Sequence, residues 1–63
     1  MVYIDVAEVK KETDKAFLCR VDGLDAWIPK SQIESPDEFG VGDLDREMEV
    51  TEWIANEKGL PYQ

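Results

Sequence analysis

The sequence has no histidine, one cysteine, and only seven basic residues to set against fifteen acidic ones in 63 positions. Without histidine there is no imidazole general base and no Ser-His or Cys-His pair, which removes the commonest catalytic constellations. The lone Cys19 forms no internal disulfide, and nothing supplies a zinc site, so no covalent or metal staple supports the fold. A chain of this size buries roughly 60 % of its unfolded surface. Its stability therefore rests on the 43 % of residues that are apolar, among them Trp27, Trp53, Phe17, Phe39, Tyr3 and Tyr62. That share is ordinary for a globular domain and argues against disorder. The shortage of bases leaves a formal charge of −8, which opposes polyanionic partners such as duplex DNA or an anionic membrane.

Long apolar runs are also missing, and none approaches the roughly 20 residues that a membrane-spanning helix needs. Met1-Val2-Tyr3-Ile4-Asp5 has neither the basic n-region nor the apolar stretch of a signal peptide. An unpaired thiol suits a reducing compartment. The expectation is a single small domain over residues 1–63, soluble and cytoplasmic.

What charge there is lies unevenly. Residues 1–33 carry five bases and six acids, net −1; residues 34–63 carry two bases and nine acids, net −7. The first half reads as strands. Val2, Ile4 and Val6 alternate with Tyr3, Asp5 and Ala7, and the alternation slips at Ala7-Glu8-Val9, which predicts a bulge or bend. After the polar Glu12-Thr13-Asp14-Lys15, Ala16 to Val21 forms a second strand. Asp22-Gly23 predicts a tight hairpin turn, and a third strand covers about Asp25 to Ile28. Pro29 ends it and suits the start of a helical turn through Ile33. Glu34 to Gly42 reads as a loop, with Phe39 and Val41 as candidate anchors on the core.

Asp43 to Val50 alternates again and predicts a fourth strand, with Asp43, Asp45, Glu47 and Glu49 on its outer face. Near the end, Thr51 can cap a helix with Glu52 in its first turn, Lys58 in its last, Gly59 at C′ and Pro61 beyond. A strand through Trp53 with a turn at Asn56–Gly59 is the competing reading. The expected fold is mainly β: a small antiparallel sheet or barrel of SH3-like or OB-like character with a short C-terminal helix.

The residues Thr13-Asp14-Lys15-Ala16-Phe17-Leu18, Asp22-Gly23 and Trp27-Ile28-Pro29-Lys30-Ser31-Gln32-Ile33, followed by Glu52-Trp53-Ile54-Ala55 and Lys58-Gly59-Leu60, resemble a group of small phage and prophage proteins. That resemblance covers most of the chain. It implies phage origin, often beside recombination or replication genes, and hence the cytoplasm of a host cell. A second set is similar to the S1 type of OB-fold: Ala16-Phe17-Leu18, the glycine turn, Ser31-Gln32-Ile33, and Val41-Gly42-Asp43 before a strand. Phe17 matches a stacking position of that family. Pro29 stands where the pattern often has histidine, and the segment left for a fifth strand is very short. The resemblance implies a small barrel-like sheet more than it implies RNA binding.

Cys19 lies in phase with Phe17 and Val21 and reads as a small buried hydrophobe, although Arg20 beside it would lower a thiol pKa. So short a chain offers little room for a cleft that would raise a carboxyl pKa, so no enzyme activity and no cofactor are expected. Asp43-x-Asp45-x-Glu47 has the clustered carboxylates that hard cations want, but it lacks the turn glycine and distal glutamate of an EF-hand. It reads as a solvated strand face rather than a metal site.

Two surfaces remain as candidates. Residues two apart on a strand point the same way at about 6.6–6.8 Å, so Asp43, Asp45, Glu47 and Glu49 would form a row of charge spaced much like phosphates. Glu52, Glu34, Asp37 and Glu38 would widen it. Such a row fits the basic groove of a nucleic-acid-handling protein, which makes the chain an acidic mimic that modulates a protein partner; solubility, or protection of an edge strand, is the simpler use of the same charges. The alternative is a single-stranded nucleic-acid module, with Phe17 and Trp27 as a stacking platform flanked by Lys15, Arg20 and Lys30. That platform requires Phe17 to face outward, as it does if Ala16 and Leu18 line the core. Trp53 and Ile54 are expected to dock the terminal helix on the sheet. An exposed Trp53 beside Trp27 would instead mark a protein contact. Self-association through a free sheet edge is a further expectation.

Overall fold

The computed structural model describes all residues, 1–63. Its first strand, β1 (Val2–Glu12), buries Val2, Ile4 and Val6 and exposes the residues between them, as the alternation predicts. Two register shifts interrupt it, between Val6 and Glu8 and between Val9 and Lys11. The first is the expected slip; the second has no counterpart in the alternation. Each places an extra residue against one partner strand, bending and twisting β1. The bent strand serves two neighbours: Val2–Glu8 pairs with β4 (Leu44–Val50), and Val6–Glu12 pairs with β2 (Ala16–Val21).

A two-residue turn joins β2 to β3 (Leu24–Pro29), and both Asp22 (φ 52°) and Gly23 (φ 77°) are left-handed. That is the type I′ geometry, whose twist matches the flanking strands. Pro29 supplies no N–H and closes the strand, and a 3₁₀ turn (Lys30–Gln32) follows. Ile33 then bridges to Val50. A second 3₁₀ turn (Pro36–Glu38) lies in the loop before β4. Phe39 packs against the core as expected, but Val41 is exposed and anchors nothing.

The strand order is β3-β2-β1-β4, antiparallel throughout. β3 and β4 do not pair, so the sheet is open and the barrel alternative is corrected: no fifth strand bridges its edges. The end of the chain is helical, α1 (Glu52–Glu57), which resolves the choice between helix and strand. Thr51 caps it, its Oγ accepting from the Ile54 N–H at 3.2 Å. At the other end the Gly59 N–H donates to Asn56 O and the Leu60 N–H to Ala55 O. With Gly59 at φ 66°, these bonds complete a Schellman motif. Alanine at Gly59 would meet no atom within 4 Å, yet its Cβ disfavours that φ. Gly59→Ala is therefore expected to cost about 1 kcal/mol, read from the urea midpoint.

The core is wholly apolar, and no polar or charged residue is buried. Phe17, Ile28, Ile4 and Met48 are its largest fully buried members. Ile54, Ala55 and Leu60 dock the helix onto it. Trp53, expected in that role, is 62 % exposed: a six-residue helix buries only one narrow stripe, and Ile54 and Ala55 occupy it. No helix is long and apolar enough to cross a membrane.

Candidate protein-binding face

The acidic row on β4 is only partly formed. Asp45 and Glu47 are exposed and Glu49 is half-buried, whereas Asp43 has turned away. Its carboxylate accepts the Gly40 N–H at 3.0 Å and pairs with Arg46 at 2.8 Å. The Arg46 guanidinium also donates to Glu38 O and lies 4.5 Å over the Phe39 ring. Asp43 therefore pins the loop ahead of β4, and belongs to neither a row nor a cation loop. Glu52 is exposed in the first turn of α1, just past the end of β4. The Glu34 N–H donates to Glu49 O, placing Glu34 beside the same strand end, and Asp37 and Glu38 lie exposed in the loop.

Residues from distant parts of the chain complete the surface. In the β1–β4 register Asp5 lies opposite Glu47 and Tyr3 opposite Glu49. Two adjoining open depressions, about 290 and 350 Å³, run along this side and share Asp5 and Asp22. Tyr3 and Tyr62 line one; Asp45, Arg46 and Glu47 line the other. The groove thus collects Asp5, Asp22, Asp45 and Glu47, with two half-exposed tyrosines at one end. None of these carboxylates has an ion-pair partner, because the four salt bridges are Lys10–Asp25, Arg20–Asp25, Lys30–Glu12 and Arg46–Asp43. Like charges directly opposite on a sheet destabilise it. The double change Asp5→Asn with Glu47→Gln is therefore expected to raise stability by roughly 0.5 kcal/mol in urea unfolding at neutral pH.

Asp5, Asp22, Tyr3 and Tyr62 were not among the sequence candidates. The outward phase of β1 marks Tyr3 and Asp5 as surface residues, but no local signal says that β1 lies beside β4. Tyr62 reaches the groove because Tyr3 and Gln63 exchange two backbone hydrogen bonds of 2.9 Å each.

The nucleic-acid platform does not assemble. Phe17 is 1 % exposed, since Phe17, Cys19 and Val21 face the core while Ala16, Leu18 and Arg20 face outward. Burying the aromatic rather than Ala16 fills more core volume, and the outward reading of Phe17 is corrected on that ground. Trp27 is 41 % exposed, and its cross-strand neighbour is the outward Leu18, so the two aromatics lie on opposite faces of the sheet. Lys30 caps the Phe17 ring at 4.8 Å and pairs with Glu12 at 2.6 Å. Arg20 and Lys10 both bind Asp25, and these hydrogen bonds, from Arg20 first, hold the Asp25 carboxyl below its ordinary range. Of the proposed cationic flank, Lys15 alone has no acidic partner.

Cys19 is fully buried, and desolvation pushes its thiol up to about 11. Arg20 points to the other face and does not offset this, so the thiol is no nucleophile at neutral pH. Compared with family models, with curated proteins and with solved structures, the chain finds no match.

Proposed function

We propose that this chain is a non-enzymatic accessory protein of phage type that acts by binding another protein, offering its acidic groove to the basic surface of a nucleic-acid-handling factor. The observation that carries this reading is the set of unpaired carboxylates Asp5, Asp22, Asp45 and Glu47 around one groove. Four of the seven bases sit on acids elsewhere, Lys10 and Arg20 on Asp25, Lys30 on Glu12 and Arg46 on Asp43; here an Asp5–Glu47 pair of like charge is tolerated. Long-range attraction would speed encounter with a basic partner. Tyr3 and Tyr62 would then supply amphipathic contact area at the groove's end. Glu49 and Glu52 would extend the negative field along β4.

The test is capture from a host lysate on immobilised protein at low salt, with duplex DNA as competitor. Nucleic-acid-binding proteins are expected on the wild-type chain and to be released by DNA. They should be lost from a variant carrying Asp5→Asn, Asp22→Asn, Asp45→Asn, Glu47→Gln and Glu49→Gln. An unchanged captured set on the folded variant would sink the reading. A second reading, a single-stranded nucleic-acid module, retains one observation: Trp27 exposed beside Leu18 with Lys15 free. Titration of labelled single-stranded DNA at low salt, where electrostatic binding is strongest, separates the two. The acidic-groove reading expects no binding.

A further inference from the structure

The sheet's less guarded edge is β3. A two-residue hairpin turn makes Val21 and Leu24 a hydrogen-bonded pair, so the backbone N–H and C=O of Asp25 and Trp27 point away from β2. Neither residue makes a backbone bond outside the strands. The edge also carries two exposed large apolar side chains: Trp27 on the outer face and Leu24, 53 % exposed, on the inner side. This edge belongs to the nearly neutral half of the chain, where residues 1–33 carry a net charge of −1.

We propose that the edge of β3 pairs antiparallel with β3 of a second copy of this chain, about a two-fold axis at Ala26. In that register Asp25 faces Trp27 of the second copy, and each such pair exchanges both of its backbone hydrogen bonds. Leu24 comes opposite Ile28 of the second copy and extends its apolar inner face. Trp27 lands beside the Asp25 carboxylate that gathers Lys10 and Arg20, cations able to sit against an indole face. Charge complementarity selects the second copy as occupant. β3 runs from an acidic end, with the unpaired Asp22, to an end where the Lys30 N–H donates to Lys15 O; the Lys30 ammonium is paired with Glu12, whereas Lys15 has no acidic partner. Two-fold pairing lays Asp22 of each copy against Lys15 of the other. Pro29 has no N–H to extend the ladder, so the contact is short and the dimer weak, with a Kd on the order of 100 µM.

The experiment is sedimentation equilibrium from about 20 µM to about 1 mM at roughly 0.15 M salt, where a screening length of about 8 Å mutes repulsion between the distant acidic halves. A reversible monomer–dimer equilibrium is expected, with the amides of Asp25 and Trp27 gaining exchange protection as concentration rises. Trp27→Lys, an edge charge on a surface residue, should weaken the dimer at least tenfold. Lys15→Glu, which sets an acid against Asp22 of the second copy, should weaken it roughly threefold. Both variants leave the acidic groove intact, so failure here is distinguishable from failure of the proposed function. A strictly monomeric wild-type chain at about 1 mM overturns the proposal. So does a dimer whose strength is unchanged in folded Trp27→Lys or Lys15→Glu, or whose protection appears away from β3.

Discussion

Phe17→Ala is expected to leave the chain unfolded at 25 °C, the largest single-residue effect in the molecule. Phe17 is the bulkiest fully buried side chain, paired across the sheet with Ile28 and Glu12 and capped by Lys30. Truncating a buried phenylalanine costs about 3–5 kcal/mol through lost transfer energy and the cavity left behind. A core of this size without staples supplies rarely more than about 3–5 kcal/mol in total. The two figures are alike, so little folded protein should remain. Trp27→Ala, removing the larger aromatic from the outer face, should cost under about 1 kcal/mol. Far-ultraviolet circular dichroism with urea titration reads both. A cooperative Phe17→Ala transition within about 1 kcal/mol of wild type would show that the core does not depend on this ring.

The second large effect is alkaline. Burial raises the Cys19 thiol to about 11 from an ordinary 9.0, so the folded state holds its proton where the unfolded chain releases it. Between those values the unfolded state binds fewer protons, and stability falls as pH rises. The contribution is complete below pH 9.0 and lost by about 11. The span is on the order of 2 kcal/mol. Every other alkaline effect is shared with Cys19→Ala, so the difference between the two proteins isolates the thiol. Urea midpoints at pH 8 and pH 11 should converge for the two proteins at the higher value. A constant gap between them would refute the assignment. In the folded protein the thiol should also resist alkylation at pH 8.

Most of the fold was legible because its determinants are local. Alternation placed β1, β2 and β4 within a residue or so, Asp22-Gly23 located the type I′ turn, and Thr51 with Gly59 framed α1. Phase was harder where both faces of a strand carry apolar residues. On β2 either Ala16 with Leu18 or Phe17 with Cys19 could be buried, and packing against Ile28 chose the second set. Trp53 misled for a related reason: its size suggested an anchor, but the capping geometry at Thr51 turned Ile54 and Ala55 inward. The acidic face was only half legible. Asp45, Glu47 and Glu49 follow from the period of β4, whereas Asp5 and Asp22 join them through strand order. Asp43 left the row because its neighbour Arg46 lay within reach, a competition that alternation does not register.

The two edges of the sheet are unequal, and this bears on how far the chain can assemble. The outer side of β4 is occupied at one end, where Glu34 bonds Glu49 and Gln32 bonds Thr51. Nearer its start, left-handed Asp45 bends the strand and the carboxylates of Asp45 and Glu47 guard it. β3 is thus the less guarded of the two edges. With β4 capped at one end and charged at the other, a strand added at β3 would leave no second edge equally open to another copy. An edge-to-edge stack would then stop at two chains more readily than it would grow into a fibre.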